Sequence, residues 1–153
     1  DAYVRTNFIT AHAAARHMIP QGSGVILTLS TPGAKLSGAG FLGNGVASAA
    51  VEAFSRLLAG ELGGHGIRVV CLRPHAIPEA VARSHTREVF AASAEAAGTD
   101  IATMLSGMAA SGTLLGRLPT LAEGADVAAF VACDSAAAMT GTVINLTSGA
   151  LVD

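Results

Sequence analysis

The stretch "FLGNGVASAAVEAFSRLLAGEL" (residues 41–62) is followed, after "GGHG" (63–66), by "IRVVCLRP" (67–74). The first piece reads as a helix over 44–62: it is Ala-rich, and the glycines at 63–66 stop it. Its apolar residues Val46, Val51, Phe54, Leu57, Leu58 and Leu62 lie on more than one side, so more than one face is to be covered. The second piece is dominated by β-branched and apolar residues without polar alternation, the pattern of a parallel strand buried on both faces.

Two further runs have the same character, "GVILTLST" (24–31) and "GTVINLTS" (141–148). The segments between the three strands are long enough for helical crossovers, which makes the fold class α/β with a parallel sheet. The remaining helices are expected at 1–19, at 79–110 in one or more pieces, and at 121–133. Pro20 and the glycines of "PQGSG" are expected to end the first, and Thr120 with Glu123 forms a capping box opening the last. Residues 79–115 are Ala-rich and weakly patterned, and read either as a mobile helical flap or as an ordinary pair of crossover helices.

A chain of 153 residues suits one domain, given roughly 100–200 residues per domain. With 51% apolar and 13% charged residues it is an ordered chain, and its longest apolar run, "VAAFVAC", is too short to span a bilayer, so no membrane partner is expected. Net charge is −2 with scattered basic residues, which argues against nucleic acid. Cys71 and Cys133 sit alone in apolar runs and are expected to be buried and unbridged, as in a reducing cytoplasm. No metal site is expected: His75, Glu79, His85 and Glu88 match no ligand spacing, and His12 and His17 do not share a helix face. The opening "DAYVRTNFIT" has neither an initiating Met nor a signal peptide's apolar core, and reads as a piece of something longer.

Taken in order, "RTNFITAHAAARHM", "GVILTLST", "ASAAVEAFSRLLAGELGGHGIRVVCLRP", "LLGRLPTLAEGADVAAFVACD" and "MTGTVINLTSGALV" resemble the C-terminal half of a short-chain dehydrogenase/reductase. The resemblance implies a partial doubly wound Rossmann-type sheet, residues 1–153 supplying the last three strands with their helices. It also implies NAD or NADP as cofactor, a small carbonyl or alcohol as substrate, and 79–115 on the substrate side. Helices 1–19 and 44–62, with Phe8, Ile9 and Ala13 outward, would join two copies in a homo-oligomer; the alternative is burial within a larger parent domain. The strand at 24–31 would stand at an apolar edge, so the isolated chain is expected to aggregate, exchange strands or need a partner.

The family's glycine-rich phosphate turn has no counterpart here. "GAGFLGNG" (38–45) offers Gly38, Gly40 and Gly43 at G-x-G-x-x-G spacing, but it does not follow a strand in a tight turn, and its acidic ribose partner would have to be Glu61, deep in a helix.

The family's chemistry needs a tyrosine as proton donor and a lysine four residues on, which lowers the phenol's pKa and binds the nicotinamide ribose. The resemblance places Asn44 at the tyrosine position and Ser48 at the lysine position; a carboxamide does not titrate and a serine brings no charge. With Tyr3 the single tyrosine and Lys35 the single lysine, no register restores the dyad. The family's catalytic serine falls on Thr31 or its neighbour Ser30, and its supporting asparagine on Asn7. Pro74, His75 and Ile77 fall where the loop meets the cofactor, His75 replacing a glycine, and Glu79 or a neighbour replacing a threonine. His75 is a candidate relocated proton donor or simply a loop histidine. "TSG" (147–149) stands for the usual Asp-Gly-Gly. Two classes remain: a divergent oxidoreductase whose isolated segment is inactive, and a non-catalytic relative that contributes an interface or a degraded cleft.

Overall fold

The computed structural model describes residues 2–38 and 40–152; Asp1 in the expected first helix, Ala39 in the glycine-rich stretch and Asp153 lie outside the described residues. Three strands, β1 (Gly24–Leu29), β2 (Ile67–Pro74) and β3 (Thr142–Leu146), form a parallel sheet in the order β1-β2-β3. β1 and β2 run parallel from the pair Gly24 and Ile67 to the pair Leu29 and Leu72. The described residues divide into two compact units: residues up to Arg73 with Val127–Ile144, and Pro74–Asp126 with Asn145 onward.

In the first unit, α1 (Ala2–Gln21) and α2 (Leu42–Leu62) pack on each other and on β1. Ala11 and Ala15 of α1 meet Ile26, Ala59, Leu62, Ile67 and Val69, with Met18, Phe54 and Leu58 at the margin. Small residues on α1 allow the close approach, and each fully buried Val or Ile contributes about 1.5–3 kcal/mol. Thr28 and Ser55 join β1 to α2 through hydroxyls 2.6 Å apart. Because Ser55 gives its proton to Val51 O, Thr28 is the donor.

Several boundaries differ from expectation for local reasons. α1 runs one residue past Pro20, since a proline in the last turn forfeits only one hydrogen bond; Gly22, at φ 72°, ends the helix by donating to Met18 O. α2 begins two residues earlier than expected, at Leu42, and β1 stops at Leu29, before Pro32. β1 also departs from the expectation of burial on both faces: Ile26 and Thr28 are buried beneath α2, whereas Leu27 and Leu29 are 36% and 55% exposed on the other face of an edge strand. Cys71 is buried as expected, but Cys133 is exposed. It lies just past α6 (Leu121–Ala132), whose buried contact is made by Val131, and its carbonyl accepts from Arg68, which also reaches Val131 O and Met139 O. A guanidinium there satisfies carbonyls that the helix end leaves open.

The second unit holds α3 (Pro78–Arg83), α4 (Thr86–Ala96) and α5 (Ile101–Gly112), so the 79–110 segment is helical in three pieces. Asp100 caps α5 by accepting from Thr103 N at 2.8 Å. The expected capping box is present: Thr120 Oγ1 accepts from Glu123 N, and Glu123 accepts from Thr120 N. "TSG" forms a turn after β3, with Ser148 and Gly149 at φ 55° and 84°, closed by Asn145, which donates to Leu151 O and accepts from Thr147.

Candidate functional site

Thr31 follows β1 and is delivered to the first turns of α2 by a short 3-10 turn, Pro32–Ala34. That turn lies against the helix because two glycines face each other: a Cβ on Gly45 would stand 2.8 Å from Gly33 O. Thr31 Oγ1 consequently donates to Asn44 Oδ1 at 2.8 Å and lies 2.9 Å from Ser48 Oγ. Thr31 has one proton and gives it to Asn44, so Ser48 donates to Thr31. Three of the four expected site residues of this unit thus form one directed chain, Ser48 to Thr31 to Asn44.

Beneath it lies a charged pair. Asn44, Ser48 and Glu52 follow at four-residue spacing along one face of α2. Glu52 Oε1 accepts from Ser30 Oγ at 2.7 Å and from Arg73 Nε at 2.7 Å, and Oε2 accepts from Arg73 Nη2 at 3.0 Å. Burial alone pushes the Glu52 carboxyl up; the hydrogen bonds from Arg73 and Ser30, and the charges of Arg73 and Lys35, outweigh it and hold it below its ordinary value. Ser30 and Thr31, adjacent in sequence, therefore serve different partners.

Asn7 is not part of this chain: its amide donates to Tyr3 O within α1. Tyr3, the single tyrosine, donates its hydroxyl to Leu29 O, and burial, reinforced by Cys71, raises its pKa. A phenol so held is a poor proton source near neutral pH.

In the second unit Pro74, His75 and Ile77 lead from β2 into α3, with Ile77 in extended backbone at the helix entry. His75 N donates to Leu146 O, and Nδ1 accepts from Ala76 N at 2.6 Å. Burial holds the imidazole below its ordinary pKa. With Nδ1 accepting, the neutral ring carries its proton on Nε2, which is a weak acid. Glu79 is exposed on α3, and His85 pairs with Glu88 at 3.1 Å. Among the described residues no group of three or more His, Cys, Asp or Glu is placed to hold a metal.

Ser48 is 0% exposed and its hydroxyl is engaged by Thr31, so it offers neither the charge nor the reach of a ribose-binding lysine. These residues do not fit the nicotinamide ribose contact the family resemblance implies. Sequence reasoning singled out neither Glu52 nor Arg73; the four-residue step beyond Ser48 marks the helix face of Glu52 but not its partner.

A three-stranded parallel sheet flanked by helices defines an α/β protein with the sheet architecture of doubly wound folds. The family described as enoyl-(acyl carrier protein) reductase matches residues 2–150, and the chain belongs to the short-chain dehydrogenases/reductases. It is 30% identical over 142 residues to the (21S)-21-acetoxyl-apo-melianone synthase of Melia azedarach, covering 93% of this chain and 48% of that protein. It is 34% identical to the short-chain reductase protein NovJ of Streptomyces niveus, over 90% of this chain and 48% of that one. Sorbitol-6-phosphate 2-dehydrogenase from Erwinia amylovora shares the fold at a TM-score of 0.84 and 23% identity, over 100% of this chain and 60% of its own. The chain spans about half the length of these two curated relatives.

Proposed function

We propose that the protein to which these residues belong is a divergent NAD(P)-dependent oxidoreductase acting on a small carbonyl or alcohol, and that this chain alone does not transfer hydride. What supports the second half is the Ser48–Thr31–Asn44 chain: where the family resemblance puts a proton donor and a ribose anchor, Asn44 and Ser48 neither titrate near neutral pH nor carry charge. The first half is supported by the dehydrogenases and reductases among its relatives. Residues 79–115, built of α3, α4 and α5, are the segment we assign to the substrate side.

Exposed Phe8 and Ile9 on α1 and Val46 and Leu57 on α2 support a homo-oligomer formed through these helices. No helix among the described residues is long and apolar enough to cross a membrane. The loss of the dyad equally favours a second reading, a non-catalytic subunit that keeps the fold and the interface.

The test compares the full reading frame that contains these residues with this chain by itself, measuring NADH and NADPH binding calorimetrically. Tight binding by the full frame and none by this chain is the expected result. No binding by the full frame leaves the non-catalytic subunit.

A further inference from the structure

Position 48 is closed by the turn that follows β1. Thr31 lies 2.9 Å from Ser48 Oγ, and the turn Pro32–Ala34 is pressed on α2: a Cβ on Gly33 would stand 2.7 Å from Asn44 Oδ1, and one on Gly45 2.8 Å from Gly33 O. Ser48 is 0% exposed, so a ligand hydroxyl reaches it only if that turn moves. Moving it breaks the Ser48–Thr31 and Thr31–Asn44 hydrogen bonds, a cost that a neutral diol hardly returns. The cations of this neighbourhood are directed to another group: Arg73 donates to Glu52 through Nε and Nη2, and the charge of Lys35, the single lysine, acts on the same carboxylate.

In the second unit, polar backbone groups of the loop after β2 are likewise engaged. Ala76 N donates to His75 Nδ1, and Ile77 O accepts from Ala80 N and Val81 N as α3 begins.

We infer that the residues of this chain leave the nicotinamide ribose of a dinucleotide unheld, so that the full protein takes its cofactor by the adenosine diphosphate end and binds the dinucleotide no more tightly than that end alone. The inference rests on the oxidoreductase reading for the presence of a dinucleotide, and on the closure of position 48 for the rest. A ribose that stays in water keeps its hydration and adds nothing to affinity, whereas a ribose hydrogen-bonded to an ammonium group would add to it.

The test uses the full reading frame that contains these residues, with NADH, NADPH and ADP as probes. Calorimetry measures binding, and the emission of the reduced nicotinamide reads whether the ring is enclosed. The expected result is a bound dinucleotide whose emission maximum stays where it is in free solution, with NADH bound no more tightly than ADP. A hydrogen bond to a charged group corresponds to about tenfold or more in affinity, so NADH favoured over ADP by that factor overturns the inference. A blue-shifted nicotinamide emission on binding of either dinucleotide overturns it as well. Either of these outcomes leaves the oxidoreductase reading in place, whereas binding of neither dinucleotide removes that reading and this inference with it.

Discussion

Arg73 Nε lies 2.7 Å from Glu52 Oε1, with the two side chains 2% and 12% exposed, and this pair ties the end of β2 to the middle of α2. Ser30 adds a third hydrogen bond to the same carboxylate. Ion pairs at a surface contribute little, but removing one partner of a buried pair costs about 3–5 kcal/mol. Glu52→Ala should accordingly lower unfolding stability by about 3 kcal/mol, read as a reduced urea midpoint at unchanged slope.

The same carboxylate sets a pH dependence. Its pKa in the folded chain lies below the ordinary 4.5, so its contribution to stability is fully present above about that pH and is lost as pH falls through the lowered value. Glu52→Gln should flatten this part of the stability profile between neutral pH and acid. An unchanged profile would show that other carboxyls carry the acid transition.

Glu123 gives a second titration, in the capping box of α6. Hydrogen bonds from Arg117 lead those from Thr120 in lowering its pKa to about 2. Its contribution is thus present above the ordinary carboxyl range and lost as pH falls toward about 2. Carbon-13 NMR of the carboxyl should show a midpoint near 2, rising toward the ordinary value in Arg117→Met.

Two glycines of α2 should respond oppositely to alanine. Gly60 is exposed, with nothing within 4 Å of an added Cβ, so Gly60→Ala should stabilise by about 0.5–1 kcal/mol through helix propensity. At Gly45 the added Cβ would meet Gly33 O at 2.8 Å, a backbone atom that yields only if the turn carrying Thr31 moves. Gly45→Ala should therefore be destabilising by about 1–2 kcal/mol despite the same propensity gain, with the thermal midpoint as the measurement.

The outer face of β1 predicts self-association. Leu27 and Leu29 are exposed on a strand that pairs on one side only, and such edges template further pairing. Sedimentation of the chain should show concentration-dependent association that Leu27→Lys reduces. Association unchanged by Leu27→Lys would place it elsewhere, on the helices.

The three strands and the helices between them were legible because each carries its own local signal: β-branched runs for β1, β2 and β3, glycines after α2, and Thr120 with Glu123 before α6. The grouping of Thr31, Asn44 and Ser48 was legible only through family resemblance, since thirteen and seventeen residues separate Thr31 from its partners. Glu52 with Arg73 was not legible. Their meeting depends on the parallel register that sets Leu29 beside Leu72 and so brings the end of β2 to Ser30, a tertiary fact no local pattern records. Cys133 was misjudged because an apolar run does not reveal where a helix leaves its buried face.

The most direct measurement is oxidation of NADH and NADPH by the purified chain against a panel of ketones and aldehydes. Loss of a positioned general acid alone lowers rates by about 10²–10⁴, and Ser48 supplies no ribose anchor besides. The account predicts rates equal to those without protein for every carbonyl tested. Saturable, carbonyl-dependent oxidation of either cofactor would contradict it, and would mean that a proton donor other than a tyrosine-lysine dyad operates within these residues.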